Sequence, residues 1–390
     1  MLSYLSPKAT LQQLLVDHPA EVNALANTHV QTVLHHLATC RTAHLGYHLY
    51  RCEDEACGHQ HYQYHSCRDR HCPQCGALKK QQWIEQRTRE LLPVKYYHVV
   101  FTLPTELNPV VMGNRTTLFN LLFLASSQTL LTFARDERYL GARLGIISVL
   151  HTWGQQLSFH PHVHAIVSGG GISATGQWKE AKKNDYRFLF PVKAMSAVYR
   201  GKFLEGLKRL IHSTEVVLPD SLEEKGWFSM LYGKPWVVYA KAPFGGPEQV
   251  IEYLGRYTHK VAISNHRLCS FDNATDTLTF QYKDYRAGGT QKQMTLSCPE
   301  FLRRFSQHIL PRGFTKIRSY GYLANRGREE RIRGVLLKLK LPQHPVPVQV
   351  PFTVRLWESY GVDVRTCPVC GGKTLRLVAV CYNFKGGEDG

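Results

Sequence analysis

Apolar residues recur at helical spacing in "LQQLLVDH" and "VQTVLHHLA", which predicts helices over residues 8–39. "ALKKQQWIEQRTRELL" (Ala77–Leu92) predicts a basic amphipathic helix that stops at Pro93. The pattern then changes. "KYYHVVFTLP" (Lys95–Pro104) is rich in β-branched and aromatic residues and predicts a strand. A long helix is expected over Thr116–Arg135, and "GIISVLHTW" (Gly145–Trp153) and "VHAIVSGG" (Val163–Gly170) read as neighbouring strands joined by a polar loop. Residues 172–235 are mixed, with a helix around Ala194–Ile211. "WVVYAKAPF" (Trp236–Phe244) is a strand, and Pro247 starts a helix over Gly246–Ala262. Gly288 and Gly289 mark a hairpin turn within Thr277–Leu296, and a helix follows at Pro299–Ile309. "PQHPVPVQVP" (Pro342–Pro351) reads as a linker ahead of a "CPVCGG" tail. The elements sum to an α+β protein: a central antiparallel sheet flanked by helices, preceded by a small Cys/His module. Three segments are expected, at residues 1–92, 93–341 and 342–390.

Composition narrows the function. The 390 residues carry a formal charge of +18, which favours a polyanionic partner, with nucleic acid ahead of anionic membrane. No uninterrupted apolar run reaches the ~18 residues that span a bilayer, and "MLSYLSPKAT" lacks the pattern of an export signal. The expectation is a cytoplasmic protein with no membrane partner.

Six of the eleven cysteines lie between Cys40 and Cys75. Without an export signal, such a cluster points to thiolates on metal rather than to disulfides. Cys52 and Cys57 form one close pair and Cys72 and Cys75 another, so these four are expected to hold a structural Zn²⁺. Cys40, Cys67 and His71 remain for a second ion, with His44 or His48 as fourth donor. Cys367 and Cys370 form a further half-site, for which Cys381 is a third ligand and no fourth is evident. Arg51, Arg68, Arg70, Lys79 and Lys80 surround the module and are candidate DNA contacts.

In "SFHPHVHAIVSGGG" (Ser158–Gly171), strand alternation turns His162 and His164 to one sheet face and Val163 to the core. His160 joins them if the strand begins that early. Two imidazoles need a third donor to hold a catalytic divalent ion; His151 is the first choice and Gln155 the second. Downstream, Tyr253 and Tyr257 in "IEYLGRYTHKVAISNHR" (Ile251–Arg267) share a helix face. Alone, such a pair is ordinary core packing. Arg256, His259, Lys260 and Arg267 surround it with the positive charge that suits a phosphate.

Together, "HPHVH", "YLGRYTHKVAIS" and "HSCRDRHCPQC" resemble one family, the HUH-endonuclease transposases of the two-tyrosine, rolling-circle insertion-sequence type, bacterial relatives of Helitron transposases. The resemblance covers about residues 10–335 and includes "YYHVVFTLP", "FLFPVKAMSAVYRGKFL" and "FLRRFSQHILPRGFTKIRSYGYLANR". It implies the HUH endonuclease fold and places the family's histidine motif at His162, Val163 and His164, with nucleophiles at Tyr253 and Tyr257. The implied activity is cleavage and rejoining of single-stranded DNA at the mobile element's ends and in the target. It runs through a 5′-phosphotyrosine with Mg²⁺ or Mn²⁺ at the histidines, and Lys260 and Arg256 assist. One or two structural Zn²⁺ ions and a homo-oligomer fit the same picture. The runners-up are a plasmid replication initiator or relaxase with the same chemistry, and a zinc-dependent DNA-binding regulator with no nuclease.

Overall fold

The computed structural model describes residues 9–181, 188–241, 244, 249–250, 253, 255, 261–285, 287–342, 350–351, 353–354, 357, 361 and 363–382. The chain folds as two units, one made of residues 1–76, 264–279 and 344–390 and the other of residues 77–263 and 280–343. This differs from three consecutive segments: the tail belongs with the N-terminal module, and residues 77–92 belong with the larger unit.

The first unit opens with three short helices, α1 (Leu11–Asp17), α2 (Pro19–Asn23) and α3 (Thr28–Ala38). The Thr10 hydroxyl accepts the Gln13 amide at 3.1 Å and starts α1; Asn27 does the same for α3 through the Val30 amide. Leu11, Leu14, Leu15, Val30, Val33, Leu34 and Leu37 are buried at the helical spacing read from the sequence. A three-stranded sheet follows, in the order β12-β1-β2, from β1 (Tyr47–Cys52), β2 (Gln60–Tyr64) and β12 (Leu375–Cys381). The tail is thus a sheet strand, antiparallel to β1 from Tyr47↔Cys381 to Cys52↔Leu375.

The second unit is built on a six-stranded antiparallel sheet. Its strands are β3 (Tyr96–Thr102), β4 (Arg143–Trp153), β5 (Phe159–Ile172), β6 (Trp178–Glu180), β7 (Val238–Ala240) and β11 (Ile317–Gly321). The order is β11-β4-β5-β3-β7, with β6 paired to β5. Apart from this sheet, β8 (Leu268–Asp272), β9 (Thr277–Asp284) and β10 (Thr290–Ser297) form a meander in the order β10-β9-β8, with β8 falling among residues 264–279 of the first unit.

Alternation along the strands sends side chains to two different cores. Val99, Phe101, Leu150, Val163, Ala165 and Val167 pack on one face, beneath α5 (Asn108–Gly113), α6 (Arg115–Arg135) and α7 (Val192–His212), with α8 (Glu224–Gly233) at their margin. Each fully buried aliphatic or aromatic side chain here stabilises the fold by about 1.5–3 kcal/mol. α6 is long and apolar enough to cross a membrane, but 67% of its most apolar stretch is buried in this core. On the other face Tyr96, Ile147 and Ile166 pack with Leu91, Leu92 and Ile332, Val335 and Leu336 of the helix Arg328–Lys338. The helix α4 (Ala77–Thr88) stops short of the expected Leu92, because Leu91 and Leu92 turn into this core and the Leu92 amide donates to Tyr96 Oη at 2.9 Å.

Candidate active site and metal centres

Strand pairing assembles the imidazoles. His151 on β4 lies opposite His162 on β5, and Val149 opposite His164, so His151, His162 and His164 share the sheet face that does not carry the α6–α7 core. One nitrogen from each lies within 4.8 Å of the others. Val163 points away into the first core with no exposure. β5 begins at Phe159, so His160 is within the strand despite Pro161. The His160 carbonyl oxygen lies 2.6 Å from His162 Nδ1, a contact that fixes the His162 ring. Of the two sequence candidates for a third donor, His151 is the one whose nitrogen lies within 4.8 Å of those of His162 and His164.

A fourth imidazole was not anticipated. His98, in the middle of β3, lies on the same face, since its neighbour Val100 pairs with His164. His98 Nε2 lies 2.9 Å from His164 Nδ1, with the rings stacked at an interplanar angle of 5°. Burial, then the charges of Lys241 and His162, pulls the His98 imidazole down to about 3. The sequence signal was one histidine in an otherwise apolar and aromatic strand, on the even-numbered positions with Tyr96.

Tyr253 completes the cluster. Its hydroxyl lies 2.6 Å from His98 Nε2 and 3.3 Å from His164 Nδ1. Gln249, Val250, Tyr253 and Gly255 are helical, as expected for this stretch. The helix sits close against α4: a Cβ on Gly255 would meet Ile84 Cδ1 at 2.6 Å and Lys80 Cε at 3.6 Å. That contact brings Lys80 beside the tyrosine helix. Tyr257, Arg256, His259 and Lys260 lie outside the described residues.

The cysteines group differently from the expected sets. Cys40, Cys67, Cys72 and Cys75 bring four sulfurs within 4.8 Å of one another. Cys52 and Cys57 are not in this set, so the expected pairing of Cys52 and Cys57 with Cys72 and Cys75 is corrected. The reason is local: β1 carries Cys52 away along the sheet, while the turn at residues 65–76 folds Cys67, Cys72 and Cys75 back onto Cys40. His71, expected as a ligand, instead places Nδ1 2.9 Å from Asp69 Oδ1, and His48 packs against the His65 ring. A Zn–S bond of about 2.3 Å in a tetrahedron sets sulfurs about 3.8 Å apart; Cys67 and Cys75 are 3.6 Å apart. Hydrogen bonds from the other three thiols hold Cys40 far below the usual thiol range, and Cys40 in turn pushes Cys67 and Cys72 upward. Four sulfurs this close ionise together only around a cation, so the residues fit Zn²⁺. Arg51, Arg68 and Arg70 are exposed in this unit, and Lys79 is exposed on α4 in the other.

Comparison with known proteins finds two family matches along the chain. Residues 145–331 match the family described as "Putative transposase", and residues 13–103 match the one described as "Transposase zinc-binding domain". The "Putative transposase y4qJ" of Sinorhizobium fredii (strain NBRC 101917 / NGR234) is 43% identical over 88% of this chain and 87% of its own. The "Transposase for insertion sequence element IS801" of Pseudomonas savastanoi pv. phaseolicola is 32% identical over 93% of this chain and 87% of its own. Among solved structures, the conjugative relaxase TrwC with a 27-mer DNA aligns over 29% of this chain and 44% of that chain, at 17% identity and a TM-score of 0.23. That likeness is too slight to bear on activity. The two transposase relatives span nearly the whole chain, and with them this protein belongs to the family of insertion-sequence transposases that carry an N-terminal zinc-binding domain.

Proposed function

We propose that this transposase cleaves and rejoins single-stranded DNA at the ends of its mobile element, with Tyr253 as a nucleophile and His151, His162 and His164 as ligands of a divalent ion. The observation that carries the reading is the convergence of a phenol and four imidazoles on one sheet face, with Tyr253 Oη 3.3 Å from His164 Nδ1. Three neutral nitrogens leave the remaining positions of Mg²⁺ or Mn²⁺ for phosphate oxygens and water. Bound there, the ion would polarise a non-bridging phosphate oxygen and offset the high pKa of a phenol, about 10.

The chain's own residues do the rest. His98 Nε2, 2.6 Å from Tyr253 Oη, holds the nucleophile's oxygen at the edge of the histidine cluster. Tyr253 Oη forms the bond to phosphorus as the bond from phosphorus to O3′ breaks; the phenol proton passes to solvent, and the released O3′ takes one up. The product is a 5′-phosphotyrosine and a free 3′-hydroxyl. The ester conserves the bond's energy, so the step reverses onto a new 3′-hydroxyl without ATP. Tyr257 would hold a second strand end, while Lys260, Arg256 and Lys80 would neutralise phosphate charge. Arg51, Arg68 and Arg70 would bind the backbone of the element's end beside the Cys40 zinc site, and Lys79 of the other unit would neutralise further phosphate charge. Such a protein works in the bacterial cytoplasm, on nucleoid DNA.

The test is a denaturing gel. Purified protein is incubated with Mn²⁺ and labelled single-stranded DNA carrying the element's end. Label should stay on the wild-type protein and vanish in Tyr253→Phe/Tyr257→Phe and in His162→Ala. Tight binding with no adduct across several ends would instead make the protein a zinc-dependent regulator.

A further inference from the structure

We propose that Cys52, Cys57, Cys367 and Cys370 bind a second zinc ion, one that ties the C-terminal tail to the N-terminal module. The four sulfurs lie within 4.8 Å of one another. Cys52 and Cys370 are 3.7 Å apart and Cys57 and Cys367 are 3.8 Å apart. Both separations match the edge of a zinc–sulfur tetrahedron, about 3.8 Å. Both are far beyond a disulfide bond of about 2.05 Å.

The local backbone carries the same signature as the first set. There the amide of Asp69 points at the Cys67 sulfur and that of Gln74 at the Cys72 sulfur. Here the amide of His59 points at Cys57, and those of Val369 and Cys370 at Cys367. Gly76 follows Cys75 in the left-handed region at φ 101°; Gly58 follows Cys57 at φ 54° and Gly371 follows Cys370 at φ 73°. Amides aimed at sulfur, closed by a left-handed glycine, stabilise thiolate and turn each pair's sulfurs toward a common point.

Half of this site lies outside the matched zinc-binding domain, which ends at residue 103. Its donors come from turns that the strand pair β1–β12 brings together: the Glu53 amide donates to the Thr374 carbonyl at 2.9 Å, one residue beyond Cys52. Apolar burial there is slight. Among the described residues, Cys52, Cys367 and Leu375 form the buried cluster, while Leu377 and Val378 of β12 are exposed. An ion therefore supplies cohesion that a core this small does not.

Metal counting tests the proposal without reference to nuclease activity. Elemental analysis of the purified full chain should give two zinc ions, and Cys367→Ser/Cys370→Ser should give one. Cys370→His, which keeps a donor, should retain two. Proteolysis within residues 342–351 should leave the tail fragment bound to the wild-type protein and release it from the double variant. Cobalt loading of the wild type reads the same site with no substitution, as a second increment of thiolate-to-metal absorption. One zinc in the wild type, an unchanged count in the double variant, or fewer than eleven free thiols in denaturant after metal removal would overturn it.

Discussion

The protein gathers candidate metal donors in two chemistries, thiols in one unit and imidazoles in the other. In the cysteine unit, Cys40, Cys67, Cys72 and Cys75 supply four sulfurs from turns, which close a tetrahedron and leave no vacancy. On the sheet, His151, His162 and His164 supply three nitrogens, with the Tyr253 phenol beside them. The supports differ as well. Among the described residues, the cysteine set around Cys52 and Cys367 packs on a buried cluster of three residues, whereas the histidines sit on paired strands with a large core beneath. On the proposed reading, donor number and the rigidity of the support, more than donor type, would separate an ion that holds a fold from one that does chemistry.

The comparison makes ordered predictions. The largest effect is expected from withdrawing zinc with a thiol reagent and a strong chelator. Structural zinc contributes on the order of 10 kcal/mol to small modules, so amides of β1, β2 and β12 should lose protection from hydrogen exchange while those of β3, β4 and β5 keep it. Equal loss in both units would break the contrast. Next, His151→Ala should lower adduct formation by about 100-fold at limiting Mn²⁺ and recover in excess Mn²⁺, since the ion would contribute several kcal/mol to the reaction. Failure of excess Mn²⁺ to rescue would make His151 structural. A smaller loss, about tenfold at saturating Mn²⁺, is expected for His98→Phe, which removes the acceptor at Tyr253 Oη and costs about 1–3 kcal/mol.

The smallest effect sharpens the comparison with a histidine outside the sheet cluster, His18 of the first unit. His18 Nδ1 faces the Leu14 carbonyl at 2.9 Å and Nε2 faces Asp276 Oδ1 at 2.6 Å. Burial pulls this imidazole down, but the Asp276 and Leu14 hydrogen bonds outweigh it, and the net shift is upward. Its stabilisation is therefore fully present below the unfolded value of 6.5 and fades as pH rises through the higher folded value. Denaturant midpoints at pH 5.5 and pH 8.5 should differ by about 0.5 kcal/mol in the wild type. His18→Gln should remove that difference; if it persists, the pH dependence lies elsewhere.

Much of this was legible in the sequence. Alternation in "HPHVHAIV" set the faces of His162, His164 and Val163, and the adjacent apolar run of β4 pointed to His151. The partition of the cysteines was not legible, because spacing reports which thiols share a turn and not which turns meet. Cys52 and Cys57 read as partners of the nearest pair, while their neighbours in space, Cys367 and Cys370, come from the far end of the chain. β12 was missed for the same reason: its partner strand is distant, and its exposed Leu377 and Val378 give no buried pattern. His98 read as an ordinary strand residue, since only the register of β3 against β5 brings it to the site. The helix Glu224–Gly233 went unread in a stretch without clear periodicity.

The placement of β12 beside β1 also sets an order of maturation. Residues near 50 leave the ribosome long before residues near 380, yet the sheet they begin is finished only when Leu375–Cys381 arrives. A chain halted at residue 341 would hold every histidine of the sheet cluster, but its sheet β12-β1-β2 would lack an edge strand, along with Cys367, Cys370 and Cys381. The sheet that residues near 50 begin is therefore completed only by residues near 380, so its folding waits on the tail.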